Sequence, residues 1–265
     1  MAGHVERVAL RVADLDRMVE FYADVIGLET LDRDADRAVL GADDPLLVLL
    51  AAPDRPPRGP DETGLFHAAF RVPSRAALGD ALTRIEERWH LDGASDHHVS
   101  EALYLSDPED NGIEVYRDRP RAAWPVNDDG TVAMDTLSLS LGPLREAATG
   151  AARLPSGTDL GHVHLEVSSL SAARSFYVEK MGLNVRQSMP SALFLAFGDY
   201  HHHVGCNVWN GRTEPSAGRG LAWVELAVDD ADERRSRLDA SALTERASGF
   251  AVDDPDGLTI RVRRA

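Results

Sequence analysis

One pattern occurs twice in this chain, 155 residues apart, and a repeat of that length restricts the fold more than any other feature of the sequence. The first copy is Val8-Ala-Leu-Arg-Val-Ala-Asp-Leu-Asp-Arg-Met-Val-Glu-Phe-Tyr22, closing at Ile26-Gly-Leu28. The second is Val163-His-Leu-Glu-Val-Ser-Ser-Leu-Ser-Ala-Ala-Arg-Ser-Phe-Tyr177, closing at Met181-Gly-Leu183. Each reads as a strand with alternating faces, a capped amphipathic helix and a turn at glycine. Asp14 or Asp16 caps the first helix, and Ser169 or Ser171 the second.

Each half divides again. Leu65-Phe-His-Ala-Ala-Phe-Arg-Val72 is another strand, followed by a helix from about Ser74 to Trp89 and short strands ending at Asp107-Pro-Glu-Asp-Asn-Gly-Ile-Glu-Val-Tyr116. Leu221-Ala-Trp-Val-Glu-Leu-Ala-Val228 starts a similar unit, with a helix near Asp230 to Leu243 and an end at Asp254-Pro-Asp-Gly-Leu-Thr-Ile-Arg-Val262. The chain thus reads as α+β, with four β-α-β-β-β units beginning near residues 5, 64, 160 and 220. The linkers are polar or proline-rich, at 52–60, 117–155 and 210–219. The expected division is a first domain over 1–125, a linker over 126–157 and a second domain over 158–265.

Composition excludes several function classes. The chain has 265 residues and a formal net charge of −16, with Lys+Arg 28 against Asp+Glu 44. A duplex or an anionic lipid surface needs a basic partner, so neither nucleic acid nor membrane is expected. No apolar run approaches the roughly 18 residues that span a bilayer. Met1 to Arg11 lacks an apolar leader region, so the expected location is cytoplasmic. Lys180 is the only lysine, and the excess of acid resembles a halophilic cytoplasm; a GC-rich genome gives the same bias. Cys206 is the only cysteine, so no intrachain disulfide forms, and it reads as a small core residue.

Four such units resemble the vicinal-oxygen-chelate superfamily, which includes glyoxalase I, bleomycin-resistance proteins and type I extradiol dioxygenases. The resemblance covers nearly the whole chain and implies two half-open barrels, each built from two units. Closer still, five segments in order resemble bacterial and archaeal catechol 2,3-dioxygenases. They are Gly64-Leu-Phe-His-Ala-Ala-Phe-Arg-Val-Pro-Ser-Arg75, Ser95-Asp-His-His-Val-Ser-Glu-Ala-Leu-Tyr-Leu-Ser-Asp-Pro108, Asn111-Gly-Ile-Glu-Val-Tyr-Arg-Asp-Arg-Pro120, Gly161-His-Val-His-Leu165 and Tyr200-His-His-His-Val204. Asp110 stands where the family usually has glycine.

In that superfamily, metal ligands come from the first and last strands of each unit. Aligning the apolar alternation gives first-strand positions Arg7, His67, His162 and Trp223, and last-strand positions Glu114 and Arg261 in units two and four. Arginine and tryptophan are not ordinary metal ligands. His67, Glu114 and His162 remain, the two-histidine, one-carboxylate set suited to non-haem Fe(II), with Mn(II) fitting the same donors. They meet only if units two and three share one barrel. His164, on the same face as His162, is the alternative ligand. Each histidine also has a plain structural reading, and Glu114 one as a solvent-facing strand residue.

Extradiol cleavage of a small aromatic diol by O₂ needs a base for a catechol proton and an acid later, roles open to histidine. Strand alternation puts His201 and His203 on one face and His202 on the other, so not all three face one cavity. On that reading His201 or His203 is the proton-transfer group; a surface run that binds metals adventitiously is the alternative. The resemblance implies a substrate-orienting hydroxyl at Tyr104, ten residues before Glu114; a core tyrosine is the alternative. His97, His98 and His164 are read as substrate-contacting. Two other functions stay open on the same fold. A glyoxalase-type lyase or isomerase usually carries a fourth protein ligand, and no acidic residue lies in His201-His-His-Val-Gly-Cys-Asn-Val-Trp209 to supply it. A bleomycin-resistance-like binding protein needs no metal. Homo-oligomerisation is left open.

Overall fold

The computed structural model describes residues 3–128 and 130–265. All four units are present. Unit one contains β1 (Gly3–Val12), α1 (Leu15–Phe21), β2 (Glu29–Arg33), β3 (Arg37–Gly41) and β4 (Pro45–Ala51). Unit two contains β5 (Gly64–Arg71), α2 (Arg75–Arg88), β6 (Gly93–Asp96), β7 (Ser100–Ser106) and β8 (Gly112–Asp118). After β9 (Leu137–Ser138) and α3 (Gly142–Ala147), unit three runs through β10 (Asp159–Glu166), α4 (Leu170–Arg174), β11 (Asn184–Met189), β12 (Ala192–Ala196) and β13 (Val204–Asn207). Unit four contains β14 (Gly220–Val228), α5 (Ala231–Ser236), β15 (Thr244–Arg246), β16 (Gly249–Asp253) and β17 (Thr259–Arg264). Among the described residues no helix is long and apolar enough to cross a membrane.

The strands form two curled sheets. One has the order β15-β16-β17-β14-β1-β4-β3-β2, the other β11-β12-β13-β10-β5-β8-β7-β6-β9. Units one and four therefore share a sheet through the antiparallel β1–β14 pair, and units two and three through β5–β10. The sheets cut across the expected division of the chain: 1–125 and 158–265 each give one unit to each sheet. Strand alternation sends Val8, Leu10, Ala68, Phe70, Val163 and Leu165 into one common core. Residues of opposite parity, including Ala9, Ala69 and His162, take the other face of each sheet.

Local chemistry explains the repeats. Asp14 accepts from the Arg17 N–H and Ser169 from the Ala172 N–H, so the caps are Asp14 and Ser169. Both helices then widen into π-helical turns, Tyr22–Ile26 and Ser175–Lys180. Tyr22 thereby donates to Asp107 at 2.9 Å and Tyr177 to Asp254 at 2.8 Å. Each repeated Phe-Tyr pair is thus tied to the Asp-Pro turn of the following unit. Burial pushes both aspartic acids up to about 6.

Two expected elements differ. The fourth helix, expected from Asp230 to Leu243, ends at Ser236, because Asp239 caps a separate 3₁₀ turn over Ala240–Ala242 by accepting from the Ser241 N–H. The segment read as linker carries β9 and α3, with Leu144 of α3 buried in the common core. Asp80 of α2 anchors the chain just beyond α3, accepting from the backbone N–H groups of Thr149 and Gly150. Cys206 lies buried in the core on β13, and burial pushes its thiol up, as suits an inert residue.

Candidate metal centre

Two bulges shape the site. On β5, His67 pairs with His164 and Leu65 with Leu165, so Phe66 is the extra residue, and Phe66 and His67 both turn to the cavity side. Gly112 makes room, since a Cβ there would stand 1.9 Å from the Phe66 carbonyl oxygen. On β10 the extra residue is Gly161, where a Cβ would stand 1.8 Å from the Tyr116 hydroxyl oxygen. Gly161→Ala is expected to destabilise the protein by about 1–3 kcal/mol through overpacking beside His162. Denaturant unfolding measures it, and a wild-type midpoint contradicts so close an approach of Gly161 to Tyr116.

These bulges bring three donors together. His67 Nε2 lies 3.0 Å from Glu114 Oε2, His162 Nε2 lies 3.1 Å from the same oxygen, and the two nitrogens are 3.3 Å apart. All three residues are buried. Donors at right angles around an ion about 2.1 Å away stand about 3.0 Å apart, and tetrahedral donors about 3.4 Å. The three edges fall within this range, as suits three donors sharing one ion, and a two-histidine, one-carboxylate set is one that leaves positions open for exogenous ligands. Burial lowers His162 to about 4, outweighing the pull of Glu114. Burial raises Glu114, but its interactions with His162 and His67 outweigh that and hold it well below its ordinary value. A neutral imidazole beside a carboxylate is the ligand-ready state. The donor set therefore fits a divalent ion.

The fourth position is open. Glu114 on β8 is in register with Ala69; its counterpart under the pseudo-two-fold relation of the sheet is Gly205 on β13, in register with His164. A Cβ at Gly205 would meet His164 Cδ2 at 2.8 Å, so no carboxylate side chain fits there. His164 itself stands outside the triad, edge-on to His67 with ring centroids 5.1 Å apart and its Nε2 buried without a partner among the described residues. Burial lowers its pKa well below the ordinary value.

A cavity of about 520 Å³ opens over the triad. Tyr104 is the cross-strand partner of Glu114. Its hydroxyl oxygen lies 2.7 Å from His97 Nε2, whose Nδ1 lies 2.7 Å from the Asp135 carbonyl oxygen. Donation by Nδ1–H to that carbonyl leaves Nε2 to accept from Tyr104. Burial and the charge of Glu114 raise Tyr104 well above its ordinary value, so it stays neutral. His98 lies outside the lining, in a turn with φ 66°, its backbone N–H donating to Asp96.

The histidine run differs from a strand. β13 begins only at Val204, and residues 201–203 form a buried loop tied down by His203 N–H donating to Leu195 O and Val163 N–H to His203 O. The three rings therefore diverge instead of alternating. His202 lines the cavity and lies against His162, ring centroids 4.1 Å apart. Burial, with the charges of neighbouring histidines, lowers it well below its ordinary value. His201 points away, toward Asp118 and Trp124. His203 accepts from the Phe197 N–H and is pulled down to about 3 by burial. The cavity-facing member is thus His202, and neither His201 nor His203 lines the cavity. Sequence reasoning also missed Met134, Asp135 and Thr136, which enter the wall from the supposed linker, and Phe66, Phe194 and Trp209. The bulge that turns Phe66 inward has one sequence signal, the glycine at 112.

Comparison with known proteins shows the family. Residues 4–115 match the family model described as Glyoxalase/Bleomycin resistance protein/Dioxygenase superfamily. The chain is 37% identical to the "Catechol-2,3-dioxygenase" of Bacillus subtilis (strain 168), over 96% of this chain and 91% of that protein. It is 26% identical to the "Biphenyl-2,3-diol 1,2-dioxygenase 3" of Rhodococcus globerulus, over 55% of this chain and 81% of that one. Glyoxalase I from Zea mays shares the fold, with a TM-score of 0.64 at 16% identity over 99% of this chain and 92% of the other. The chain belongs to the glyoxalase/bleomycin resistance/dioxygenase superfamily, on the branch of its ring-cleaving dioxygenases.

Proposed function

We propose that this chain is an extradiol dioxygenase that opens the ring of a catechol bearing an uncharged apolar substituent, using Fe(II), or Mn(II), held by His67, Glu114 and His162. The observation that carries the reading is the buried two-histidine, one-carboxylate face with an open fourth side, at the floor of a mostly apolar cavity. When bound, the ion supplies chelation of the two diol oxygens and an electron path between the diol and O₂. Every atom of diol and O₂ is retained in one ring-opened 2-hydroxy-dienoate, a ketone where the cleaved carbon carries the substituent and a semialdehyde where it does not.

The protein's own groups do the rest. His202 Nε2 is placed to take a proton from a diol hydroxyl and return it later. Tyr104, held by His97, offers a neutral phenol oxygen beside Glu114 to orient a substrate oxygen. The lack of room for a carboxylate side chain at Gly205 leaves the fourth side without a protein ligand, which favours ring cleavage over a glyoxalase-type site with four protein ligands.

The cavity supports the choice of substituent. Its volume lies in the range of about 300–1,000 Å³ typical of pockets for ligands larger than a single ring. Phe66, Phe194, Trp209, Met134, Met189 and Ile113 form apolar wall. Its charged side chains are acidic, Asp92, Glu114 and Asp135, and no arginine or lysine lines it among the described residues. An unpaired carboxylate entering such a site costs several kcal/mol, so catechols with alkyl or aryl substituents are expected to exceed 3,4-dihydroxybenzoate in kcat/KM by at least about 100-fold. Equal kcat/KM values overturn the assignment of substrate class.

A further inference from the structure

Behind the cavity wall, three side chains form a hydrogen-bonded row. His202 Nδ1 lies 2.7 Å from His201 Nδ1, and His201 Nε2 lies 3.0 Å from Asp118 Oδ1. Asp118 also accepts from Arg71 at 3.0 Å and from the Tyr200 hydroxyl at 3.0 Å. The His201 ring is fixed between Tyr200 and Trp124, with centroids 4.1 and 5.0 Å away.

With His201 neutral, proton counting along the row gives one arrangement. A carboxylate accepts only, so the His201 nitrogen facing it must donate. A neutral His201 then carries its lone pair on Nδ1. The short contact between the two Nδ1 atoms needs a proton, and His202 is the one partner able to supply it. His202 is left with Nδ1 protonated, and Nε2 has no hydrogen-bond partner among the described residues. Resting on the ring-cleavage reading above, we propose that Asp118 and His201 are positioning residues that hold His202 in this tautomer, its bare Nε2 ready to accept a proton from the diol. The logic is that of a catalytic histidine oriented by a buried carboxylate, extended by one imidazole. The opposite tautomer would present an N–H to the diol and no acceptor.

The test combines a spectrum with kinetics. In ¹⁵N-histidine protein loaded with diamagnetic Zn(II), long-range ¹H–¹⁵N correlations report which nitrogen of His202 bears the proton, with His202→Gln assigning the signal. Wild type is expected to show Nδ1–H with Nε2 bare. His201→Phe fills the aromatic slot but removes the acceptor, so His202 should lose that tautomer. In the iron enzyme kcat should fall about 10–100-fold, as when an orienting partner of histidine is lost, at unchanged iron content. His201→Asn places an amide oxygen near the former Nδ1, and should restore both the tautomer and most of kcat. A protonated Nε2 in wild type overturns the proposal. So does a His201→Phe variant with wild-type kcat. If iron-loaded wild type opens no catechol ring, the functional reading fails, and the tautomer spectrum still decides the row.

Discussion

Replacing His67, His162 or Glu114 with alanine is expected to strip the protein of its metal and abolish ring cleavage. Each substitution leaves two protein donors where the structure shows three within 3.0–3.3 Å of one another. Losing only a hydrogen-bond partner behind a ligand typically costs about 10–100-fold in metal affinity or activity, and losing the ligand itself should exceed that. The other sheet supplies the control. Its corresponding positions hold Arg7, whose Nε donates to Glu225 at 2.6 Å, and Arg261, stacked over Trp223 at 3.8 Å. Changing either arginine should leave metal content unchanged. Metal analysis on dialysed variants measures both, and a Glu114→Ala protein with full metal and activity contradicts the assignment.

The second large effect is expected at His202. His202→Ala should lower kcat by about 10²–10⁴-fold, the usual contribution of a general acid–base group, while bound iron stays close to wild type. His203→Ala should have a much smaller effect on kcat, since its ring accepts from the Phe197 backbone and faces away from the cavity. Iron stoichiometry and kcat on the two variants separate a proton-transfer role from ligation. Loss of iron along with activity in His202→Ala would make His202 a ligand instead.

The chain's architecture was legible where side-chain period carries the structure. Alternation over Val8–Val12 and Val163–Val167 marks strands because one face is core, and the repeated Phe-Tyr and Asp-Pro motifs mark the contacts of Tyr22 with Asp107 and Tyr177 with Asp254. Given the resemblance, which puts ligands on first and last strands, the pairing of units two and three was legible from residue type, since ligand-capable side chains fall together on β5, β8 and β10 and arginine and tryptophan fall on β1, β14 and β17.

Loops were not legible in this way. A period-two rule applied to 201–203 points His201 and His203 the same way, yet the backbone bonds of His203 to Leu195 and Val163 hold the segment as a loop before β13 begins. Nothing in a one-dimensional pattern encodes that turn. Likewise, a polar composition between residues 117 and 155 reads as linker, whereas Asp135 closes the cavity by accepting from His97 across 38 positions of chain. Asp118 stood inside a recognised segment, but its role depends on His201, 83 positions later.

Anaerobic loading with Fe(II), followed by a 3-alkylcatechol and a measured amount of O₂, decides whether this site opens a diol ring. One O₂ is expected to be consumed per diol, with a yellow ring-opened 2-hydroxy-dienoate formed (a ketone where the cleaved carbon carries the alkyl group, otherwise a semialdehyde), and no turnover by metal-free protein or by Glu114→Ala. Diol and O₂ left unchanged by protein shown to contain stoichiometric iron, or turnover of methylglyoxal and glutathione in its place, would contradict ring cleavage at His67, Glu114 and His162.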